Sequence, residues 1–424
     1  PLLLLPYQQY HMPDVHGVEN IRVDTIQGVL NYKRPSKDSK IRWAPPSALR
    51  RIDLILCDEE NQYEDREWER LLGSIKEQPH SPFTAVVADF QQLQPVVCGG
   101  LCERFCAKMQ QSALDTVYRS KDEAHLLFCN RIRVEQPTRE MQEEYFGERH
   151  WKNRDLHDCV STGMSLAKEA QQPFAWLTCT NQGASEVCRA ALDLEGVTDD
   201  DLASGYPCDP ASKSDLGIVF KKGIIYRLTR NMDKTRGFVN GAYAEGVESL
   251  DGDRVFTAKL LSSGNMVLIH PMEEEGSRFL PCCYGYATTI RRAQGCGFHH
   301  GCIDFDLKKY PAARGYGYVA VSRFASRKGV YLYGKLRRTD FLPVGEERED
   351  EVLERGWDSE TSSDNSEHGI QYYGGLAGVT EDSDVCSEEE DSDVCSQAGC
   401  GCMNSEEHTE EHTEQHTDPA QMVD

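Results

Sequence analysis

The stretch Ile52-Asp53-Leu54-Ile55-Leu56-Cys57-Asp58-Glu59-Glu60 decides how the rest of the chain is read. Its apolar run, broken only by Asp53, is short and rich in branched side chains, which suits a strand buried on both faces of a parallel sheet better than a helix. Two carboxylates, Asp58 and Glu59, then arrive together where that strand ends. Ligands of open α/β sheets gather at the carboxyl ends of the strands, so an acidic pair there is placed for Mg²⁺-nucleotide chemistry. One carboxylate can hold the metal through water while its neighbour polarises the attacking water. The same pair also fits the first turn of a following helix, where the helix dipole favours acids.

Downstream, Asp65 to Lys76 carries Trp68, Leu71, Leu72 and Ile75 at helical spacing. Phe83-Thr84-Ala85-Val86-Val87-Ala88-Asp89 reads as a second buried strand, again ending on a carboxylate. It runs into Phe90-Gln91-Gln92-Leu93-Gln94-Pro95-Val96, where Pro95 forbids a simple helix. A Gln at the tip of a neighbouring strand can contact both a γ-phosphate and the attacking water. Upstream, Leu2 to Leu5 reads as a strand. Ile21 to Gly28 reads as a strand ending at Thr25, either a loop offering its hydroxyl and backbone N–H groups to phosphate or a plain turn. The basic, Pro-bearing segment from Tyr32 to Arg51, with Trp43 inside it, fits a track for a nucleic-acid backbone or a solvated loop. Cys98, Cys102 and Cys106 share one helical face and read as small buried hydrophobes rather than a metal site, with no His or fourth Cys at ligand spacing.

Leu126 to Arg133 leads through Pro137 into a helical stretch, Arg139 to Phe146, and its arginines suit phosphate sensing or surface ion pairs. Pro173 to Asn181 reads as a buried strand that ends in Thr178, Thr180 and Asn181. From Leu216 to Met272 short alternating segments punctuated by Gly suit a small antiparallel barrel, with Asn240-Gly241 marking a tight turn. The parallel sheet resumes at Tyr284, with Arg291, Arg292, Gln294 and Gly295 just after a threonine pair. Cys296, His299, His300 and Cys302 crowd one loop with ragged spacing, unlike an ordered zinc site. An Arg such as Arg323, presented just before the strand Gly329 to Tyr333, can reach across a cleft to a transferring phosphoryl group.

Composition bounds the function class. A chain of 424 residues with 39% hydrophobic content suits two or three domains. Residues 345–424 hold 25 acidic and 2 basic side chains, so nearly all of the formal net charge of -24 lies there. The first 344 residues are close to neutral, and the acidity does not oppose a nucleic-acid partner. The tail duplicates Glu-Asp-Ser-Asp-Val-Cys-Ser (Glu381 to Ser387, Glu390 to Ser396), and acidic repeats of this kind are expected to be disordered. The 17 cysteines include no Cys-x2-Cys pair, the usage of reduced thiols in an intracellular protein. No apolar run approaches a membrane span. The chain begins at Pro1 and enters at once on a strand, and an N-terminal piece is expected to be missing.

Thr25-Ile26-Gln27-Gly28, Asp58-Glu59, Asp89 to Val96, Leu177 to Asn181, Arg230-Asn231 through Asn240-Gly241, Thr289 to Gly295 and Tyr318-Val319-Ala320-Val321-Ser322-Arg323 resemble, in this order, the motifs of superfamily 1 DNA helicases of the petite-integration-frequency and RecD-like group. The resemblance runs from about Ile21 to Gly334. It implies an α/β fold with two RecA-like parallel-sheet domains, residues 1–125 and 126–344, a small β-barrel inserted at about 216–272, and a disordered acidic tail at 345–424. It implies an ATP-dependent 5'-to-3' DNA helicase, intracellular and nuclear, with ATP, Mg²⁺ and single-stranded DNA as its ligands. Asp58 would hold Mg²⁺, Glu59 would be the general base, and Gln92 would sense the γ-phosphate. Arg323, with Arg133 or Arg131, would reach that phosphate, while Gln294 and Gly295 would lie against the nucleotide. Thr25, Thr180, Asn181, Arg291 and Arg292 would face DNA. The chain departs from the family pattern at Ala88 (Gly), Arg291-Arg292 (His-Lys) and Gln27 (His). No Gly-x-x-x-x-Gly-Lys-Ser/Thr segment is present to cradle the phosphates, as expected of a truncated motor. Two other classes stay open: a hydrolysis-deficient single-strand-binding or regulatory protein, and an interaction protein whose acidic tail recruits basic partners.

Overall fold

In the computed structural model of the chain, Leu54–Asp58 is the third strand of a parallel sheet, and the rest of the first half is arranged around it. The structure describes residues 2–5, 21–23, 25–30, 52–78, 81–95, 100–114, 116–274, 276–305, 314–345, 348 and 350. The expected basic track from Tyr32 to Arg51, the stretch after Leu5 up to Asn20, Cys98 and the acidic repeats lie outside the described residues. The described residues fall within one compact unit, Pro1–Ser359.

The first sheet contains β1 (Leu2–Leu5), β2 (Ile21–Val23), β3 (Leu54–Asp58) and β4 (Phe83–Val87), all parallel, in the order β2-β1-β3-β4. Asp58 pairs in register with Val87, so the carboxyl ends of β3 and β4 finish side by side. A one-turn helix α1 (Ile26–Val29) follows β2, and α2 (Asp65–Lys76) and α3 (Leu101–Cys106) follow β3 and β4. A reciprocal cap between Glu64 and Glu67 starts α2 at the boundary its spacing predicts. The apolar stripe of α2 drives Trp68 and Leu71 into the core beside Ile55, Cys57 and Tyr63, with the Phe105 ring edge-on to Trp68 at 5.5 Å. Burying such a side chain is worth about 1.5–3 kcal/mol. The expectation for β4 needs correcting: it is the edge of the sheet, with Phe83 72% and Val87 41% exposed. An apolar, branched run marks a strand, but not how many neighbours cover it.

The second half begins with α4 (Glu123–Val134), α5 (Arg139–Phe146), β5 (His150–Trp151), α6 (Leu156–Ala170), β6 (Phe174–Thr178), α7 (Asn181–Leu194) and α8 (Asp199–Ser204). An antiparallel section follows, comprising β7 (Ile225–Leu228), β8 (Tyr243–Asp251), β9 (Val255–Leu260), β10 (Met266–Ile269), the hairpin β11 (Met272–Glu274) and β12 (Ser277–Phe279), and β13 (Cys282–Tyr284). Five of these strands form one sheet in the order β10-β9-β8-β7-β13. The insertion therefore runs on to Tyr284, past the Met272 boundary read from the glycine punctuation. The chain then returns to a parallel sheet through β14 (Ala287–Thr289), β15 (His300–Asp304), α9 (Tyr316–Ser322) and β16 (Val330–Tyr333), giving the order β14-β6-β15-β16-β5.

The two parallel sheets share packing. Leu93, from the loop after β4, is 1% exposed and sits in the second sheet's core with Phe128, Ile132, Ile303, Val319 and Phe341. Phe128 stacks on Tyr145 at 3.9 Å, fixing α4 against α5. Gly317 lets α9 lie flat on the turn at Arg338–Phe341, since a Cβ there would meet Phe341 Cδ1 at 2.5 Å and the Asp340 carbonyl oxygen at 2.6 Å. Gly317→Ala is expected to lower the unfolding free energy by about 1–3 kcal/mol through overpacking, read from the urea midpoint.

Candidate nucleotide cleft and nucleic-acid face

Glu59 leaves β3 at φ 54° and ψ 38°, the left-handed region that a residue with a Cβ enters at a cost of about 1–2 kcal/mol. That turn carries the chain into Glu60–Gln62, a buried turn of 3-10 helix, and leaves Asp58 exposed at the end of the strand. Half-buried Glu59 accepts a hydrogen bond from Gln62 Nε2 at 3.3 Å. Burial raises its pKa above 4.5, opposed by the positive charge of Arg323 and assisted by the negative charges of Asp58 and Asp89. Although the Asp58 side chain reaches solvent, partial desolvation by the surrounding protein also raises it above its ordinary range, opposed by the backbone N–H of Glu59.

Arg323 is the C-cap of α9 and is 2% exposed. Its Nε donates to the Val319 carbonyl at 3.1 Å and its Nη2 to Ser322 Oγ at 3.0 Å, while Nη1 is buried with no partner among the described residues. Burial lowers its pKa to about 10, with Arg119 adding to the drop and Glu59 opposing it. Arg119 donates to the Ser322 carbonyl at 2.9 Å, so a second cation stands against the same helix end. A buried guanidinium with a free N–H and a like charge nearby is a site that an anion relieves.

Asp89 is the junction between the sheets. Its Oδ1 accepts from Arg133 Nη2 at 2.8 Å, and its Oδ2 accepts from Tyr318 Oη at 3.2 Å and from Gln92 Nε2 at 3.2 Å. One carboxylate just past β4 thus grips α4 and α9 together. Gln92 Oε1 is buried without a partner among the described residues. Arg133 lies in this junction, whereas Arg131 pairs with Glu135 on the exposed side of α4.

The residues that the resemblance assigns to DNA are placed differently from one another. Thr25 Oγ1 accepts from Gly28 N–H at 3.1 Å and Thr180 Oγ1 from Gly183 N–H at 2.9 Å, so both hydroxyls cap helices. Arg291 Nη1 donates to the Gln94 carbonyl at 2.7 Å, which ties the turn after β14 to the loop after β4. Arg292 donates to the Ser212 carbonyl at 3.1 Å. With Asn181, Lys213, Thr288 and Arg227 it lines a small pocket whose wall has no carboxylate among the described residues. Burial lowers the Arg292 pKa, and Arg227 lowers it further. Such a pocket suits an anionic oxygen. Gln294 is fully buried inside that same turn, and Gly295 adopts φ 82°.

Asp89, Tyr318, Arg119 and Arg227 escaped the sequence reading as site residues. Asp89 and Tyr318 stood inside quoted motifs, but nothing local marks them as partners. Arg227 had one signal, a charge set among the apolar residues of Ile225–Leu228.

Residues 15–148 match the family model of an AAA domain. The ATP-dependent DNA helicase PIF1 of Danio rerio is 24% identical over 288 residues, covering 63% of this chain and 42% of that relative. The chain therefore spans less than half the length of that curated protein. Among solved structures, the Pif1 helicase from Bacteroides in complex with ADP-AlF3 and ssDNA superposes with a TM-score of 0.58 at 14% identity, covering 81% of this chain and 84% of that one. The Pif1 helicase from Candida albicans gives 0.51 at 15% identity, covering 70% and 76%.

The Asp89–Arg133 contact yields a stability prediction. Arg133 is partly exposed, so a double-mutant cycle of Asp89→Ala and Arg133→Ala in urea unfolding is expected to give a coupling of about 0.5–1 kcal/mol. Additivity of the two substitutions excludes the grip.

Proposed function

We propose that this chain, which resembles the PIF1-like superfamily 1 helicases in sequence and has the two-sheet RecA-like fold of the Pif1 structures, is the motor portion of an ATP-dependent DNA helicase. Residues 1–125 and 126–344 would be the two motor domains. The observation that carries this reading is the convergence of Glu59, Gln92, Arg133 and Arg323 on the seam between the two parallel sheets, with Asp58 beside them.

The residues fit a Mg²⁺-bound nucleotide. Arg323 has a buried N–H to give to a phosphoryl oxygen, and Gln92 has a buried amide oxygen to accept from water. Asp58 would hold Mg²⁺, which neutralises charge developing on the phosphates. Glu59, held half-buried with a raised pKa, would take the proton of the attacking water. Arg323 and Arg133 would stabilise the transferring group from the second-sheet side. Binding would compete with Asp89 for Arg133, so occupancy of the cleft would be felt at the grip between the sheets.

Single-stranded DNA is the proposed polymer, read at its phosphates by Arg292 and Arg227 and at its edge by Asn181. Thr25 and Thr180 would contribute through the helix N-termini that they cap, and Arg291 through the loop it holds. Movement in the 5'-to-3' direction and a nuclear, intracellular setting in DNA repair or recombination belong to the same proposal and rest on the resemblance.

These 424 residues hold no Gly-x-x-x-x-Gly-Lys-Ser/Thr run. DNA binding and nucleotide hydrolysis are therefore tested as separate readouts of the protein. Glu59→Gln is expected to reduce DNA-stimulated phosphate release by about 10²–10⁴-fold, and Arg323→Ala by about 10³-fold. Hydrolysis at the parent's rate in both variants refutes the assignment. A base must be deprotonated to act, and the pKa of Glu59 lies above 4.5, so kcat/KM is expected to fall as pH drops through that raised value. Arg292→Ala is expected to weaken single-strand binding at all sequences and to flatten the log K against log salt slope by about 0.7, read by fluorescence anisotropy.

A further inference from the structure

Behind the acidic pair lies a group of thiols that the proposed motor does not use. Cys57 precedes Asp58 and is completely buried, and Glu60 follows Glu59 and is completely buried as well. Glu60 Oε2 accepts from Cys102 Sγ at 3.8 Å, its Oε1 has no partner at hydrogen-bond distance among the described residues, and the Cys57 thiol also acts on this carboxyl. Burial pushes its carboxyl well above the usual range. Cys102 Sγ stands 3.8 Å from Cys106 Sγ, one turn further along α3. Cys106 is half-buried and reachable, whereas Cys102 is 4% exposed.

We infer that Cys102 and Cys106 form an oxidation site, closed to a disulfide by a hydroperoxide, and that closure is felt at Glu60 and so at the turn carrying Asp58 and Glu59. Three observations support this. The sulfurs are already adjacent, and a disulfide needs them at about 2.0 Å. Cys106 is the last residue of a six-residue helix, so only its final turn must loosen to bring the sulfurs together. Cys106 is the half-buried sulfur of the pair and Cys102 the buried one, so a hydroperoxide reaches Cys106 first. The accessible sulfur is thus the one that attacks the oxidant, and the buried one is the resolving thiol.

The chemistry balances with the hydroperoxide as oxidant. The Cys106 thiolate attacks a peroxide oxygen, forming an S–O bond as the O–O bond breaks, and the departing oxygen leaves as water or alcohol after protonation. Cys102 then gives up its proton and attacks the Cys106 sulfur, and the hydroxyl leaves with that proton as water. Both thiols are oxidised and the peroxide is reduced. Cys102 loses the hydrogen it shares with Glu60, and its sulfur moves toward Cys106. The buried carboxyl of Glu60 then has one donor fewer, next to a residue already held at positive φ.

The test treats the full chain with hydrogen peroxide, blocks the remaining thiols by alkylation and maps the peptides by mass spectrometry. The expected product is a 101–108 segment with two hydrogens lost and neither Cys102 nor Cys106 alkylated, reversed by dithiothreitol. Cys102→Ser is expected to stop the reaction at a sulfenic acid on Cys106, trapped by dimedone. Amide exchange at residues 57–62 is expected to become roughly tenfold faster in the disulfide form, and to stay unchanged in peroxide-treated Cys106→Ser. These readouts need no nucleotide hydrolysis, so they stand or fall separately from the motor proposal. Oxidation of other cysteines while Cys102 and Cys106 remain alkylatable overturns the site. A disulfide that leaves exchange at 57–62 unaltered overturns the coupling.

Discussion

One carboxylate and one leucine join the two parallel sheets. Asp89 holds Arg133 and Tyr318, and four residues on Leu93 is packed in the core of the second sheet. Asn61 supports the same loop, accepting from Asp89 N–H and donating to the Leu93 carbonyl, both at 3.4 Å. Arg291 holds the Gln94 carbonyl from the other side. The loop after β4 is therefore a bracket built from apolar burial and charge-assisted bonds. The apolar part is the steadier of the two, because burial of Leu93 does not depend on salt or pH, whereas the Asp89 contacts are screened and exchangeable. A bracket with one fixed and one exchangeable attachment keeps the sheets together while allowing their contact to change.

The groups proposed to meet the nucleotide depend on that bracket for their electrostatics. Glu59 and Arg323 come from opposite sides of the seam, and each shifts the other: the guanidinium favours ionised Glu59, and the carboxylate favours protonated Arg323. Burial opposes both ionised forms and is the larger influence on each. At neutral pH the arrangement therefore works against folding on its own account, since Arg323 remains charged with one N–H unpartnered. Stability is supplied instead by the surrounding aromatic and aliphatic packing around Phe128, Tyr145 and Phe341. A cost held at one place and offset elsewhere is expected where a site awaits an anionic ligand.

What was legible in the sequence follows the range of the interactions involved. The helix Asp65–Lys76 could be read to its ends because its stripe and its cap are both local. The strand Leu54–Asp58 was legible from its branched run and its acidic stop. The exposure of Phe83 was not, because covering an edge strand is a property of neighbours rather than of the strand. Asp89 meets Arg133 across 44 residues and Tyr318 across 229, and no periodicity reaches that far. Thr25 and Thr180 show another limit: a hydroxyl before a helix offers the same pattern whether it caps the helix or meets a phosphate. Arg291 and Arg292 are adjacent in sequence yet reach different segments, Gln94 for one and Ser212 for the other, because successive residues of a turn diverge.

That divergence gives the turn after β14 a particular mechanical position. Arg291 ties it to the loop that holds the first sheet, and Arg292 ties it to the segment at Pro210–Ser212, which precedes the antiparallel insertion. These bonds are all made to backbone carbonyls, Gln94 for Arg291 and Ala211 and Ser212 for Arg292, so they depend on where those segments lie and not on which side chains they carry. Arg292 also lines the cationic pocket with Arg227, whose Nη2 donates to Cys283 Sγ at 3.1 Å across the β7–β13 pairing. In the proposed motor, a phosphodiester drawing on Arg292 would weaken its hold on the Ser212 carbonyl, and the adjacent Arg291 would carry that change to Gln94 and the bracket at Asp89. In that proposed motor the two neighbouring guanidiniums, one lining the pocket and one holding the loop after β4, would set polymer binding and the seam one peptide bond apart.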